Sequence, residues 1–81
     1  MEKEQVLADT TEICRKVFND QGLDITEASN AGSIAEWDSM TNLFLIDSLE
    51  KHFDIKFSLD EIMNAQNVGD LCNIILSKKN N

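Results

Sequence analysis

Hydrophobic residues recur at helical spacing in separate parts of the chain, and the first part lies at its start. Over residues 3–18, apolar and small side chains fall three and four residues apart with charged residues between them: Val6, Leu7, Thr10, Ile13, Cys14, Val17 and Phe18. This spacing predicts an amphipathic helix. Glycine is common just beyond helix ends, so we interpret Gly22 as the stop signal of this helix.

No period persists from Leu23 to Trp37. The apolar residues of this segment are scattered among polar ones: Leu23, Ile25, Ala28, Ile34 and Trp37. The pattern predicts a long loop that these side chains pin to the rest of the fold. A loop of this length is uncommon in so small a domain and is often functional.

Periodicity resumes in a second helix, which we expect to begin with Asp38 as its N-cap. At 100° per residue, one stripe of this helix is apolar: Leu45, Ile46, Leu49 and Phe53. A second set lies away from that stripe, beside or below Ser39: Met40, Leu43, Phe44 and Asp47. The first set is expected in the core.

Two further helices are predicted downstream. Ser58 to Glu61 form a capping box that opens a short helix reaching about Asn64. Asn67 to Asp70 then cap a last helix, whose inward positions are Val68, Leu71, Cys72 and Ile75. The fold class predicted is therefore all-α: a four-helix bundle with three longer helices, one short helix and a long first loop. Its expected core is Leu7, Phe18, Leu45, Ile46, Leu49, Phe53, Ile62, Val68, Leu71 and Ile75.

Size and charge narrow the classes of function. Eighty-one residues suit one domain, residues 1–81, with a single modest core. A net charge of −8 disfavours binding to nucleic acid and to anionic membrane surfaces, and favours partners with basic faces. No apolar run approaches the roughly 18 residues of a membrane span and no signal peptide follows Met1, so we expect a cytoplasmic monomer without membrane insertion. Cys14 and Cys72 fall on apolar stripes and are expected to be buried free thiols.

Ser39 is the residue whose position suggests chemistry. In the first turn of the second helix, its hydroxyl would lie beside unpaired backbone N–H groups and the positive end of the helix dipole. That environment favours a covalently attached phosphate. The alternative is that Asp38 and Ser39 merely begin a helix, in a small acidic helical module that binds other proteins.

The residues around Ser39 resemble a known family. Asp38-Ser39-Met40 looks like the Asp-Ser-Leu attachment motif of the acyl carrier proteins, a family that includes the peptidyl carrier domains. The similarity continues downstream: Trp37, Leu43, Leu45-Ile46, Leu49-Glu50, Phe53, Phe57-Ser58 and Val68-Gly69-Asp70-Leu71. The pattern covers nearly the whole chain and is firmest over residues 36–76.

The resemblance implies a carrier without catalytic activity of its own. A 4′-phosphopantetheine arm from coenzyme A would be joined to Ser39 through a phosphodiester by a phosphopantetheinyl transferase, which brings its own Mg²⁺; Asp38 would cap the helix and complete the motif. The thiol of the arm would carry acyl, aminoacyl or polyketide groups as thioesters to loading and condensing enzymes of fatty-acid, polyketide, peptide or cell-envelope biosynthesis.

By the same resemblance, partner enzymes would recognise the second helix. The matching positions are Met40, Leu43, Phe44, Asp47 and Glu50. Phe44 stands where carriers of fatty-acid synthesis commonly have an acidic residue, which favours a specialised pathway. Phe44 is either an exposed contact for partners or a side chain packed against the first loop, and the sequence leaves both alternatives open.

Other candidate sites are excluded by their placement. A second Asp-Ser-Leu, Asp47-Ser48-Leu49, falls inside the periodic pattern of the second helix, where backbone N–H groups are already paired, so Ser48 is interpreted as a surface residue. His52 lies 13 residues beyond Ser39, about 20 Å along a helix, so the two cannot form a hydrolase pair. The acidic residues show no metal-ligand spacing, and no metal site is predicted.

Overall fold

Four α-helices and no strands make up the fold in the computed structural model, which describes residues 1–80. The helices are α1 (Lys3–Val17), α2 (Ser39–Phe53), α3 (Leu59–Asn64) and α4 (Val68–Lys79). Helix α1 packs against both α2 and α4. The all-α prediction of three longer helices, one short helix and a long first loop is confirmed. Within residues 1–80, no helix combines the length and the apolar character that a bilayer crossing requires.

Side-chain caps fix the starts of the three later helices, as the sequence predicted. Asp38 caps α2 in a capping box. Ser58 Oγ accepts a hydrogen bond from the Glu61 backbone N–H at 3.2 Å, and Glu61 Oε1 accepts one from the Ser58 N–H at 2.7 Å. Asn67 Oδ1 accepts from the Asp70 N–H at 2.8 Å. Each cap satisfies backbone N–H groups that have no partner inside the helix.

The end of α1 differs from the prediction. Asn19, and not Gly22, adopts the left-handed conformation after the helix, with φ of 54°. Asparagine tolerates this conformation better than most residues other than glycine. The Asp20 N–H then donates to the Arg15 carbonyl at 2.9 Å, which closes the last turn. The assignment of Gly22 as the stop was wrong because asparagine filled the same role three residues earlier.

The core lies where the three longer helices meet. It consists of Val6, Cys14, Phe18, Ile34, Trp37, Leu45, Ile46, Leu49, Phe53, Phe57, Val68, Leu71, Cys72 and Ile75. Eight of the ten predicted core residues are buried, whereas Leu7 and Ile62 are only partly buried. Both cysteines are buried and free, as predicted. Burial, with a smaller contribution from Cys72, raises the pKa of the Cys14 thiol to about 12, so this thiol stays protonated and unreactive.

The long loop is held by apolar side chains, with Leu23 and Ile25 partly buried against the core, and by backbone hydrogen bonds to α4. The N–H groups of Val68 and Gly69, at the start of α4, donate to the carbonyls of Ser29 at 2.9 Å and Glu27 at 2.8 Å. Ile34 and Trp37 are buried as expected, but Ala28 is exposed and does not pin the loop. These hydrogen bonds between backbone groups of the loop and α4 cannot be predicted from the spacing of apolar residues.

Candidate functional site

The start of α2 is fixed by reciprocal hydrogen bonds between Asp38 and Thr41. Asp38 Oδ1 accepts hydrogen bonds from the N–H groups of Met40 and Thr41, both at 2.9 Å. The Asp38 N–H donates to Thr41 Oγ1 at 2.8 Å, and that hydroxyl donates to the Glu36 carbonyl at 2.8 Å. The backbone on both sides of Ser39 is therefore held in a single conformation.

Ser39 is the first residue of α2 and is exposed, as the sequence predicted. The expectation of unpaired N–H groups beside it is wrong for the next three residues. Asp38 already binds the Met40 and Thr41 N–H groups, and the Asn42 N–H donates to the Asp38 carbonyl at 2.9 Å. A phosphate on Ser39 would meet the positive end of the helix dipole and a neighbouring carboxylate, without a set of free backbone donors.

Hydrogen bonding keeps the Asp38 carboxyl ionised. The N–H of Thr41 has the largest effect and lowers the pKa of Asp38; desolvation, the second largest, opposes it, and the N–H of Met40 and the Thr41 hydroxyl leave the pKa below its ordinary value. Hydrogen bonds to the charged form of a carboxyl favour that form. The cap is therefore intact at neutral pH.

We expect Asp38→Ala to lower the melting temperature by roughly 3–8 °C at neutral pH, because the first turn of α2 loses its cap. A depressed folded-state pKa stabilises the protein above the unfolded pKa, about 3.9, and this stabilisation is lost as pH falls through the folded value. The deficit should therefore be constant from about pH 7 to pH 5 and shrink below about pH 4. Asp38→Asn, which retains the capping oxygen, is the matched control. A deficit that grows in acid would contradict this account of the cap.

A cleft of about 270 Å³ opens beside Ser39. Trp37 forms one wall, with its Nε1–H donating to Asn42 Oδ1 at 3.0 Å and its ring centroid 5.6 Å from that of Phe18. The small side chains of Ala31 and Ala65 leave the space open, and the Gln66 side chain also lines it. A chain attached to Ser39 would find both apolar and amide groups in this cleft.

The three apolar residues predicted for the partner face are exposed. The exposed fractions are 66% for Met40, 64% for Leu43 and 58% for Phe44. Phe44 is therefore not packed against the first loop, which decides between the two alternatives left open for it. Asp47 is also exposed and pairs with Lys51 Nζ at 3.0 Å. Recognition of partners by this face remains a prediction.

Glu50 does not share this exposure, which corrects its placement on the partner face. Its side chain is only 17% exposed, and Oε2 accepts a hydrogen bond from the Phe57 N–H at 2.8 Å. This bond fixes the connection between α2 and α3. Glu50 therefore has a structural role. The sequence did not predict this role, because the neighbouring positions on the helix are exposed.

Ser48 and His52 lie on the flank of α2 that faces α1. Ser48 is in the middle of the helix, as predicted, and is half-buried beside Ile13 and Val17. His52 is exposed, and its Nε2 lies 3.2 Å from Asp9 Oδ2 of α1. The histidine is thus directed towards α1 and away from Ser39.

Sequence reasoning missed two exposed apolar residues of α3. Leu59 is 70% exposed and Met63 is 72% exposed. Their spacing of four residues, out of phase with Ile62, could have indicated an outward apolar pair.

Comparison with known proteins agrees with this geometry. The family model described as "Phosphopantetheine attachment site" matches residues 11–75. A similar solved structure is the solution NMR structure of the holo acyl carrier protein from Geobacter metallireducens, with a TM-score of 0.84 and 40% sequence identity. The alignment covers 91% of this chain and 88% of that one. Among curated proteins, none matches the chain.

Proposed function

Because the chain belongs to the phosphopantetheine attachment site family, we propose that it is a carrier protein whose 4′-phosphopantetheine arm is joined to Ser39. The arm would hold acyl or aminoacyl intermediates as thioesters and present them to partner enzymes. The observation that carries this assignment is the exposed hydroxyl of Ser39 at the first residue of a rigidly capped helix.

The surroundings of Ser39 fit such an arm. A serine hydroxyl is on a short stem, so a phosphodiester formed there is anchored close to a backbone that the capping box holds still. The cleft beside it has apolar walls and side-chain amides, which suit the methyl and amide groups of pantetheine. Ser48 has neither feature, because it lies in the middle of α2 and is half-buried.

The occupied N–H groups of α2 also suit a carrier. Since Asp38 already binds the N–H groups of Met40 and Thr41, the phosphate gains from the helix dipole but is not clamped by backbone donors. An arm that must visit several enzymes benefits from a fixed base and a free outer end. We therefore expect the arm to move freely about its bond to Ser39.

We infer the class of pathway from the exposed face of α2. Phe44 replaces an acidic residue, and Asp47 is paired with Lys51, so this face is less acidic than in carriers of primary fatty-acid synthesis. These features favour a specialised polyketide, peptide or cell-envelope pathway over fatty-acid synthesis. The partners are then a phosphopantetheinyl transferase and the loading and condensing enzymes of that pathway. The absence of catalytic activity, the monomeric state and the cytoplasmic location stay predictions.

Intact-mass measurement tests the proposal. The protein is incubated with coenzyme A, Mg²⁺ and a broad-specificity phosphopantetheinyl transferase. We expect the mass to increase by one phosphopantetheine group, with fragmentation locating the group at Ser39. An unchanged mass would favour the alternative, a small acidic helical interaction module that never receives an arm.

We expect Phe44→Glu to weaken recognition by the native partner enzymes. The change removes an exposed aromatic contact and adds a charge next to Asp47, so the specificity constant for acyl transfer should fall about tenfold. Phe44→Leu, which keeps an apolar side chain, should lose much less. Equal transfer kinetics for the wild type and Phe44→Glu would remove Phe44 from the partner surface.

A further inference from the structure

A groove with basic edges opens between α1 and α2. It has a volume of about 390 Å³ and is lined by Ile13, Lys16, Val17, Ser48, Lys51 and His52. Ile13 and Val17 are partly buried against the core and form the apolar floor of the groove. We call it the α1–α2 groove. None of its side chains takes part in the function proposed above.

The two helices that form the groove run antiparallel. Asp9 Oδ2 of α1 lies 3.2 Å from His52 Nε2 near the end of α2. The ring of Phe18, just after α1, contacts that of Trp37, just before α2. The α2 residues of the groove lie nine to thirteen positions beyond Ser39, which is about 14–20 Å along the helix. A helix bound in the groove therefore does not need to cover the Ser39 hydroxyl.

Positive charge is scarce in this chain, yet three basic side chains border the α1–α2 groove. The sequence has seven lysines and arginines and one histidine against fifteen acidic residues. Asp47 pairs with Lys51 at 3.0 Å, and Asp9 pairs with His52, so the nearby carboxylates are already engaged. Lys16 is exposed and has no ion-pair partner within the described part of the chain. The groove thus offers an ammonium group beside an apolar floor.

The shape and charge of the groove indicate what could occupy it. Small-molecule pockets enclose most of the surface of their ligand, whereas this groove is open to solvent along one side. An open groove between two helices suits an amphipathic helix, which lays its apolar side chains on the floor. Acidic side chains on the flanks of such a helix would reach Lys16 and Lys51. The net charge of −8 opposes nucleic acid and a second copy of this chain.

We infer that the α1–α2 groove binds an amphipathic helix of another protein, with acidic residues on both flanks of its apolar stripe. This second binding surface is separate from the start of α2, since none of its residues lines the cleft beside Ser39. The inference therefore does not depend on an arm at Ser39. It also reverses, at this one place, the preference for basic partners that the net charge implies.

The test is a titration of the isotopically labelled, full-length chain with a synthetic peptide, followed by NMR. The peptide is about 18 residues long, with a stripe of leucine flanked by glutamate and with alanine elsewhere. We expect it to shift the backbone amide signals of the groove residues and to leave those of α3 unchanged. A second peptide with glutamine in place of each glutamate should bind about tenfold more weakly.

Lys16→Glu should weaken binding of the acidic peptide about tenfold, because it replaces the unpaired ammonium group with a repelling carboxylate. Lys79→Glu is the matched control. Lys79 is also exposed in the last turn of a helix, and its substitution changes the net charge by the same amount. This control should weaken binding less than about twofold, since a distant exposed charge is screened by salt.

Four results would overturn the inference. The first is an acidic peptide that leaves the groove signals unchanged at millimolar concentration. The second is an equal loss of binding in Lys16→Glu and Lys79→Glu, which would show a response to net charge alone. The third is decanoate shifting the groove signals at lower concentration than the peptide, which would assign the groove to small amphipathic anions. The fourth is a dimer in sedimentation that Lys16→Glu abolishes, which would assign it to a second copy.

Discussion

Ser39→Ala is expected to leave the protein entirely without a phosphopantetheine arm. The phosphodiester needs a hydroxyl at the start of α2, and alanine removes that oxygen without disturbing the helix, since Ser39 is exposed and Asp38 provides the cap. Alanine is also a better helix former than serine. After incubation with coenzyme A and a transferase, the intact mass should be that of the unmodified chain, and the circular dichroism spectrum should match the wild type.

Ser48→Ala is the matched control for this loss. It removes the serine of the second Asp-Ser-Leu, which lies nine residues further along the same helix. We expect this protein to gain the arm as completely as the wild type. If Ser39→Ala gained the arm and Ser48→Ala did not, attachment would have to be reassigned to the middle of α2, and the argument from the helix start would be wrong.

Gly69→Ala is expected to destabilise the fold by about 1–3 kcal/mol, the cost typical of forcing an extra methyl group into a packed site. A Cβ on Gly69 would lie 3.0 Å from the Glu27 carbonyl oxygen and 3.1 Å from the Glu27 Cβ. The oxygen belongs to the backbone and accepts the Gly69 N–H at 2.8 Å, so it cannot move aside without loss of that hydrogen bond. Chemical denaturation should show a lower midpoint.

Gly22→Ala provides the comparison. The nearest heavy atom to its added Cβ is Asp20 Oδ1, at 4.0 Å, which is an ordinary contact. Its stability should stay within about 0.5 kcal/mol of the wild type. Equal stability of the two alanine variants would show that the loop does not depend on its close approach to α4.

The helix caps and these two glycines show which structural features a local sequence pattern can predict and which it cannot. The caps at Asp38, Ser58 and Asn67 were predicted because a capping side chain and the N–H groups it binds are within three residues of each other. Gly22 was misread because its role depended on whether Asn19 had already ended α1. The role of Gly69 depends on Glu27, about 40 residues away in sequence, and no local pattern indicates that contact.

Some features of the candidate site could also be predicted from the sequence, and others could not. The exposure of Ser39 follows from its place at the start of α2, whereas the exposure of Phe44 was left open by the sequence and decided by the structure. The structural role of Glu50 does not follow, because its partner is a backbone N–H beyond the end of the helix. The exposure of Leu59 and Met63 depends on how α3 packs, with its Glu61 paired to Lys78 of α4.

By itself the sequence determined the four helices, most of the core and the placement of one serine at a helix start, because spacing and capping act over a few residues. The tertiary structure decided how the long loop is held on α4, which acidic side chains of α2 are engaged, and whether Phe44 is exposed. Those features depend on contacts between residues far apart in the chain, and such contacts exist only once the helices have packed.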